Sequence, residues 1–423
     1  VERFNAPITY CSFFLENRSS ISVALLDPLI ALSFSFTLLA LMLYKRVTLG
    51  LALVSSAIAL CLLSMSPVGV YYVFIHTTLN PLTVSLVSVT IGIMLLSLLY
   101  KETKALDTLS SGVGALLRNP KLTISVLPAV VGLLPVPGGA LMSAPLVETE
   151  ARKLGLDKTK KTYVNVWFRH VIFPLYPMSQ VLILAAALTG TSLTSIILSQ
   201  IPVVAAMIVI GYFIVLRKAQ VIEINTSHSN LHEHVKDFLL SFSPILVMIL
   251  AVAILGLDVS IAAFVGVATL LIITKPSQQT LVKTATNIST YKIALAAYGA
   301  MLLRTATMES GVSEAIGQVL ATSNINETLL LATLPAALAF FVGSPSGGIA
   351  ISVPIIGGIM QFTATSASLL FISAYLGYLG SPAHLCLALT VDYFESAMNR
   401  VYKFLVPSLA VSFAVAVIVY YLL

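Results

Sequence analysis

Apolar runs long enough to cross a bilayer recur along almost the whole chain, and no other feature restricts its fold so severely. A spanning helix needs roughly 17–25 largely apolar residues, because the hydrocarbon core is about 30 Å thick. Hydrophobic residues make up 58% of the 423 and charged residues only 9%, with a mean hydropathy of +0.99. A soluble domain carries about 25% charged residues, so this chain has too little polar surface to face water on every side. The expectation is an all-α polytopic protein of the cell membrane with about 10–11 transmembrane helices and the lipid bilayer as its first partner. The first apolar run, Ile21 to Tyr44, is long enough to span and lacks a basic leader, so it reads as a span and not as a cleaved signal. The net charge of +6 does not point to nucleic acid, since the basic residues fall mainly between apolar runs. Cys11, Cys61 and Cys386 are widely scattered and two lie in apolar runs, which supports neither a disulfide frame nor a zinc site.

Spans are expected near 24–44, 48–66, 81–100, 164–188, 192–216, 237–256, 259–274, 290–308, 364–392 and 403–423. Two stretches, 121–149 and 327–360, are apolar but rich in Gly, Pro and Ser, and they read as irregular. Lys45 and Arg46 assign the first loop to the cytoplasm. Counting crossings from there puts Lys101–Lys121 and the basic run Arg152, Lys153, Lys158, Lys160, Lys161 on the same inner side. The stretch 121–149 therefore enters and leaves from inside. Arg217, Lys218, Lys275, Lys283, Arg400 and Lys403 also come out inside, while Glu309, Glu314 and Glu327 lie outside, so 327–360 dips from the outer face. Both termini are expected outside.

The two irregular stretches share letters. "PGGALMSAPL" (137–146) lies over "SGGIAISVPI" (346–355) without gaps, and Gly138 and Gly347, Ser143 and Ser352, Pro145 and Pro354 are each 209 positions apart. That shift is close to half the chain, as an internal duplication requires. Each irregular stretch is followed by an apolar span that is itself interrupted, at "PLYPMS" (174–179) and "GYLGSPAH" (377–384). The expected organisation is two inverted-topology repeats, 1–216 and 237–423, joined by a polar cytoplasmic connector at 217–236. Each repeat holds a re-entrant hairpin (121–149, 327–360) and a broken helix (164–188, 364–392). Paired Gly/Pro-interrupted segments in two inverted halves point to a secondary transporter's binding site. Irregular backbone in hydrocarbon leaves polar groups unpaired at several kcal/mol each, so it survives only in a protein interior or a wet cavity. At such a tip, helix-end N–H groups attract anions and free carbonyls bind cations, and no charged side chain is needed.

"LLPVPGGALMSAPLVE" and "GYLGSPAHLCLALT" resemble an uncharacterised family of prokaryotic integral membrane proteins. That family is grouped with the gluconate permeases and the divalent anion/sodium symporters in the ion-transporter superfamily. The resemblance implies a scaffold domain and a transport domain in each protomer, a homodimer, and an elevator mechanism. In the sodium-coupled symporters each tip carries a Ser-Asn-Thr motif. Here the tips read Pro137-Gly138-Gly139 and Ser344-Pro345-Ser346-Gly347-Gly348, so neither a dicarboxylate nor a sodium stoichiometry carries over. The resemblance implies two half-sites: Val136 to Gly139 with Leu175 to Ser179, Tyr176 included, and Ser344 to Gly348 with Gly380 to His384, Ser381 included. Either could hold Na⁺ at the tip.

Further candidates each have a plainer reading. Ser143 and Ser352 either line the site or bond the preceding turn's carbonyl. His384, inside an apolar span, either carries a coupling proton or is a neutral histidine bonded to a carbonyl. Arg304 either meets an anionic substrate or sits at the outer boundary beside Glu309. Arg169 and His170, taken as about one and a half turns into their span, read as interface anchors. Asp392 and Glu395 are expected to face water or pair with Arg400, and Asp27 to mark a boundary. His228, His232 and His234 read as part of a solvated connector, with no metal.

The favoured function is a secondary active transporter for a small organic anion, driven by Na⁺ or H⁺ and needing no other cofactor. The alternative is a Na⁺/H⁺-type cation antiporter, but such proteins place carboxylates deep in the membrane and none is evident here. An enzyme is not expected: no H-E-x-x-H, no G-x-S-x-G and no pair of mid-membrane aspartates occurs, and ATP-binding motifs are absent.

Overall fold

The computed structural model describes residues 26–117, 119–134, 139–222, 231–312, 315, 318 and 326–423. Pro137, Gly138 and His228 lie outside the described residues, as do the side chains of His232 and His234. Every regular element among the described residues is helical. In chain order these are α1 (Pro28–Tyr44), α2 (Leu49–Ser64), α3 (Pro67–Leu79), α4 (Pro81–Glu102) and α5 (Ala105–Leu116). Next come α6 (Pro120–Gly132), α7 (Ala140–Lys153), α8 (Lys158–Val171), α9 (Gln180–Thr189) and α10 (Leu193–Gly211). The rest are α11 (Leu231–Ala253), α12 (Val259–Thr274), α13 (Gln278–Ala285), α14 (Ile288–Glu309), α15 (Glu327–Val342), α16 (Pro345–Gly357), α17 (Ala364–Gly380), α18 (Leu385–Tyr393) and α19 (Met398–Leu422).

Among the described residues, six segments are long and apolar enough to cross a membrane: Pro81–Glu102, Lys158–Thr189, Leu193–Leu216, Val235–Ala253, Ala364–Tyr393 and Met398–Leu422. Helices α1, α2, α6, α12, α15 and α16 are also apolar but shorter. The expected span near 290–308 does form a helix, α14, but it carries Lys292 and Arg304 and is not among the six. Helix α3 occupies a stretch read as a connection between spans. Its start is encoded locally: the Ser66 hydroxyl accepts from the Gly69 N–H at 3.3 Å, and Pro67 fills the first turn, where no amide donor is needed. At 13 residues it falls below spanning length, so a spanning window passes over it.

The two stretches expected to be irregular are mostly helical. Each contains a pair of helices, α6 with α7 and α15 with α16; residues 135–138, between α6 and α7, lie outside the described residues. Their arms of 13 to 16 residues are about 20–24 Å long, short of the hydrocarbon thickness. All four arms contain a proline, at Pro128, Pro145, Pro335 and Pro354. The two interrupted spans break where their Pro and Gly content marks them. The 3₁₀ turn Phe173–Leu175 lies between α8 and α9, and residues 381–384 lie between α17 and α18. Two pairs of helix ends repeat the shift seen between the matching letters: Tyr44 and Ala253, like Val171 and Gly380, are 209 positions apart.

The chain divides into two compact units, and each draws on both halves of the sequence. One comprises Val1–Val84, Leu295–Ile325 and Val353–Gln361; the other comprises Ser85–Ala294, Asn326–Ser352 and Phe362–Leu423. In the first, α1 packs on α2 with the Ser35 and Ser56 hydroxyls 2.7 Å apart, and a Cβ on Gly50 would lie 2.7 Å from the Ala296 nitrogen. The second unit holds the α6–α7 pair, α15, the start of α16 and both broken spans. There α6 lies against α8 and α15 against α17, each contact closed by a glycine. A Cβ on Gly132 would meet the Arg169 carbonyl oxygen at 2.4 Å, and one on Gly377 the Ala336 carbonyl oxygen at 2.2 Å. Small residues let helix backbones approach where lipid supplies no hydrophobic drive between helices.

Both clashes are with backbone, which cannot rotate away. Gly377→Ala is expected to destabilise the protein by roughly 1–3 kcal/mol, the cost of an overpacked interior. A melting curve in detergent tests this. An unchanged melting temperature would mean that α15 and α17 do not pack as described.

Candidate functional site

Helix α8 starts at Lys158, six residues before the span expected from hydropathy. Asp157 caps it, accepting from the Lys160 N–H at 2.9 Å, so charged residues fill its first turns. Arg169 and His170 therefore lie about 17 Å along the helix, at its far end, not near its mouth. Both are buried, with Arg169 2% exposed, which corrects the reading of the pair as interface anchors. The chain breaks immediately after them.

The end of α8 is held by groups from other elements. The Arg169 Nη2 donates to the Leu134 carbonyl at 3.3 Å, at the end of the first hairpin arm. The Tyr375 hydroxyl on α17 donates to the His170 carbonyl at 2.8 Å, satisfying an acceptor that the helix end leaves free. The His170 ring places Nδ1 2.7 Å from the Val166 carbonyl. The second break is secured in a similar way. The Ser381 hydroxyl donates to the Phe340 carbonyl of α15 at 2.6 Å and accepts from the Ala383 N–H at 3.1 Å. Gly343, at φ +67°, ends α15, and a Cβ there would lie 2.8 Å from the Ala383 Cβ. The left-handed backbone and the close approach both require glycine at this position.

The two breaks meet. The His170 and His384 rings are edge to face with centroids 4.7 Å apart, and the Tyr378 ring is 4.2 Å from His384. His384 is 0% exposed, and neither of its ring nitrogens has a hydrogen-bond partner among the described residues. The Leu379 carbonyl approaches the ring without closing a bond. The Arg169 Nη1 is also buried without a partner, and Cys386, Tyr378 and Tyr375 are the guanidinium's electrostatic neighbours. Ligand atoms of His170, His384 and Cys386 all lie within 4.8 Å of one another. That would suit a metal by geometry, and it places Cys386 in a cluster that the scattered cysteines do not reveal in the sequence. The adjacent guanidinium opposes a divalent cation, however, and favours an anion.

A second polar knot lies behind the first tip. The Asn165 Oδ1 accepts from Ser143 at 2.7 Å, and its Nδ2 donates to the Ala140 carbonyl at 2.9 Å and the Thr390 hydroxyl at 3.2 Å. This ties α7, α8 and α18 together. The symmetric partner Ser352 is equally buried but bonds only the Ile349 carbonyl of its own helix, at 3.4 Å.

The other expected site residues spread around this core. Gly139 is buried at the start of α7, and Tyr176 and Ser179 are buried in the α8–α9 break. Ser344 caps α16, its hydroxyl accepting from the Gly347 N–H at 3.2 Å. Ser346 is half-buried, while Gly347 and Gly348 are buried. A Cβ on Gly348 would lie 2.6 Å from the Ala339 Cβ, so the two arms touch there. Arg304 is half-buried and belongs to the first unit, whereas the histidine junction belongs to the second. Asp27 caps α1. Glu395 does not turn to Arg400; it pairs with Lys158 at 2.7 Å on the exposed surface, and that bond holds its carboxyl below the usual range.

Tyr378 and Asn165 are residues that the sequence reading passes over, while it places Arg169 and His170 at the membrane interface in preference to a ligand role and notes Cys386 only as one of three scattered cysteines. One signal for Arg169 and His170 was available: the cation and the imidazole stand five and four residues ahead of the Pro174 break in an apolar run. These features define a class, an all-helical protein with six membrane-length helical segments, two of them interrupted around a buried polar junction. The chain belongs to the family described as "Protein of unknown function (DUF401)", whose model matches residues 28–423. No curated protein matches it.

The two symmetric serines are expected to differ. Ser143→Ala leaves the Asn165 oxygen buried and unpaired, a loss of about 1–3 kcal/mol, whereas Ser352→Ala removes only a weak local bond. Parallel melting curves test this, and equal losses would deny the Asn165 knot its role.

Proposed function

We propose that the protein is a secondary active transporter that moves a small organic anion, a carboxylate, across the cell membrane, coupled to Na⁺ or H⁺. The observation that carries this reading is the buried guanidinium with a free Nη1 beside an unpartnered histidine, where two membrane-length segments are interrupted. Ionisable groups at such depth are costly and mark solute or ion pathways. In this reading the two halves are inverted repeats. The 209-residue shift between corresponding helix ends and the sidedness of the basic loops support that arrangement. The short arms of α6–α7 and α15–α16 then act as re-entrant hairpins entering from opposite faces, and both termini lie outside. The unit that holds the junction is the transport body of an elevator and the other is the scaffold, in a homodimer, as the resemblance to the ion-transporter superfamily implies.

A Na⁺/H⁺ antiporter on this scaffold would need a carboxylate in the junction. Among the described residues the charged side chain there is Arg169.

Proteoliposomes holding the purified protein test the reading. Labelled carboxylates are expected to accumulate when an inward Na⁺ or H⁺ gradient is imposed, and not when an ionophore collapses it. If no carboxylate accumulates and a Na⁺ pulse alone shifts the internal pH, the antiporter replaces it.

A further inference from the structure

The junction also limits what kind of anion it can hold. Arg169 forms no ion pair among the described residues; the ion pairs found there join Glu148, Glu150, Glu395, Asp157 and Glu102 to surface lysines and Arg152. Its neighbours are the Cys386 thiol, to which the guanidinium also hydrogen-bonds, and two phenols, with the imidazoles of His170 and His384 close by. The junction thus carries one positive charge with no acidic partner among the described residues, in a low-dielectric interior. Such a charge is costly unless an opposite one joins it.

Two donor groups there are free. The Arg169 Nη1 has no partner, while Nη2 is committed to the Leu134 carbonyl. His384 is buried with both ring nitrogens unpartnered, and a neutral imidazole offers one N–H. One guanidinium edge and one imidazole N–H match the two oxygens of a single carboxylate. A second carboxylate on the same solute would find no second cation and would remain a buried, unpaired charge. We infer that the junction binds one carboxylate group through Arg169 and His384, and that the solute is a monocarboxylate. The inference rests on the anion-transport reading and narrows it.

The test is a thermal-shift titration of the full-length protein with acetate, lactate and gluconate against succinate and citrate, with and without Na⁺, and with Zn²⁺ alone as a cation control. The same titrations are run on Arg169→Gln and His384→Gln. At least one of the three monocarboxylates is expected to raise the melting temperature saturably, with succinate and citrate giving no comparable shift. Arg169→Gln removes the lone buried charge and also the bond to the Leu134 carbonyl, so the affinity is what is read: it is expected to fall by roughly tenfold or more. Unchanged affinity in Arg169→Gln would assign the arginine to the α6 end alone and overturn its role toward the carboxylate. His384→Gln, which retains an N–H donor, is expected to keep partial affinity and serves if Arg169→Gln does not fold. Equal or tighter binding of succinate or citrate overturns the monocarboxylate inference and leaves the anion transporter standing. Stabilisation by Zn²⁺ that is lost in His384→Gln, with no response to any carboxylate, overturns both.

Discussion

A helix interrupted inside hydrocarbon strands backbone donors and acceptors that water cannot reach, and most of the second unit answers that constraint. At the end of α8 the His170 carbonyl is taken by the Tyr375 hydroxyl, and in the gap beyond it the Tyr176 N–H bonds the Phe173 carbonyl. At the end of α17 the Ser381 N–H bonds the Tyr378 carbonyl and the His384 N–H bonds that of Ser381. The hairpin arms depend on the same breaks. The α6 end is met by Arg169 and the α15 end by Ser381, each through a carbonyl oxygen. Gly132 and Gly377 bring these helices close enough for the side chains to reach.

The side chains left over after this accounting are the informative ones. Interiors rarely tolerate a buried polar group without a partner, yet Arg169 Nη1 and both nitrogens of His384 have none among the described residues. By contrast Asn165, a few residues away, has its oxygen and its amide nitrogen engaged. That difference sets the junction apart from the Asn165 knot, and it is the observation on which the proposed anion role rests.

The halves match in outline and differ in chemistry. Arg169 and Tyr378 are 209 positions apart, as are Leu175 and His384, so the guanidinium is matched by a phenol and the imidazole by a leucine. Ser143 and Ser352 match in letter and in burial but differ in partner. Looking for identical letters across the repeat therefore leads to the hairpin glycines, serines and prolines, which shape the backbone. It leads away from Arg169, whose match at the same offset is Tyr378, not a second cation.

The class of the protein was legible in the sequence. Apolar runs of spanning length predict a helical membrane protein, and Gly and Pro clusters locate both breaks, because these are local properties of composition and backbone. His384 was legible too, as an ionisable residue in an apolar run. Helix α3 was not, since its 13 residues fall short of a span, and neither was the depth of Arg169, which depends on α8 beginning at Lys158. Only the tertiary structure brought Arg169 and His170 to His384 and Cys386, across more than two hundred residues of chain. Sequence periodicity describes one helix at a time, whereas a site built from two breaks exists only once the helices that carry them have packed.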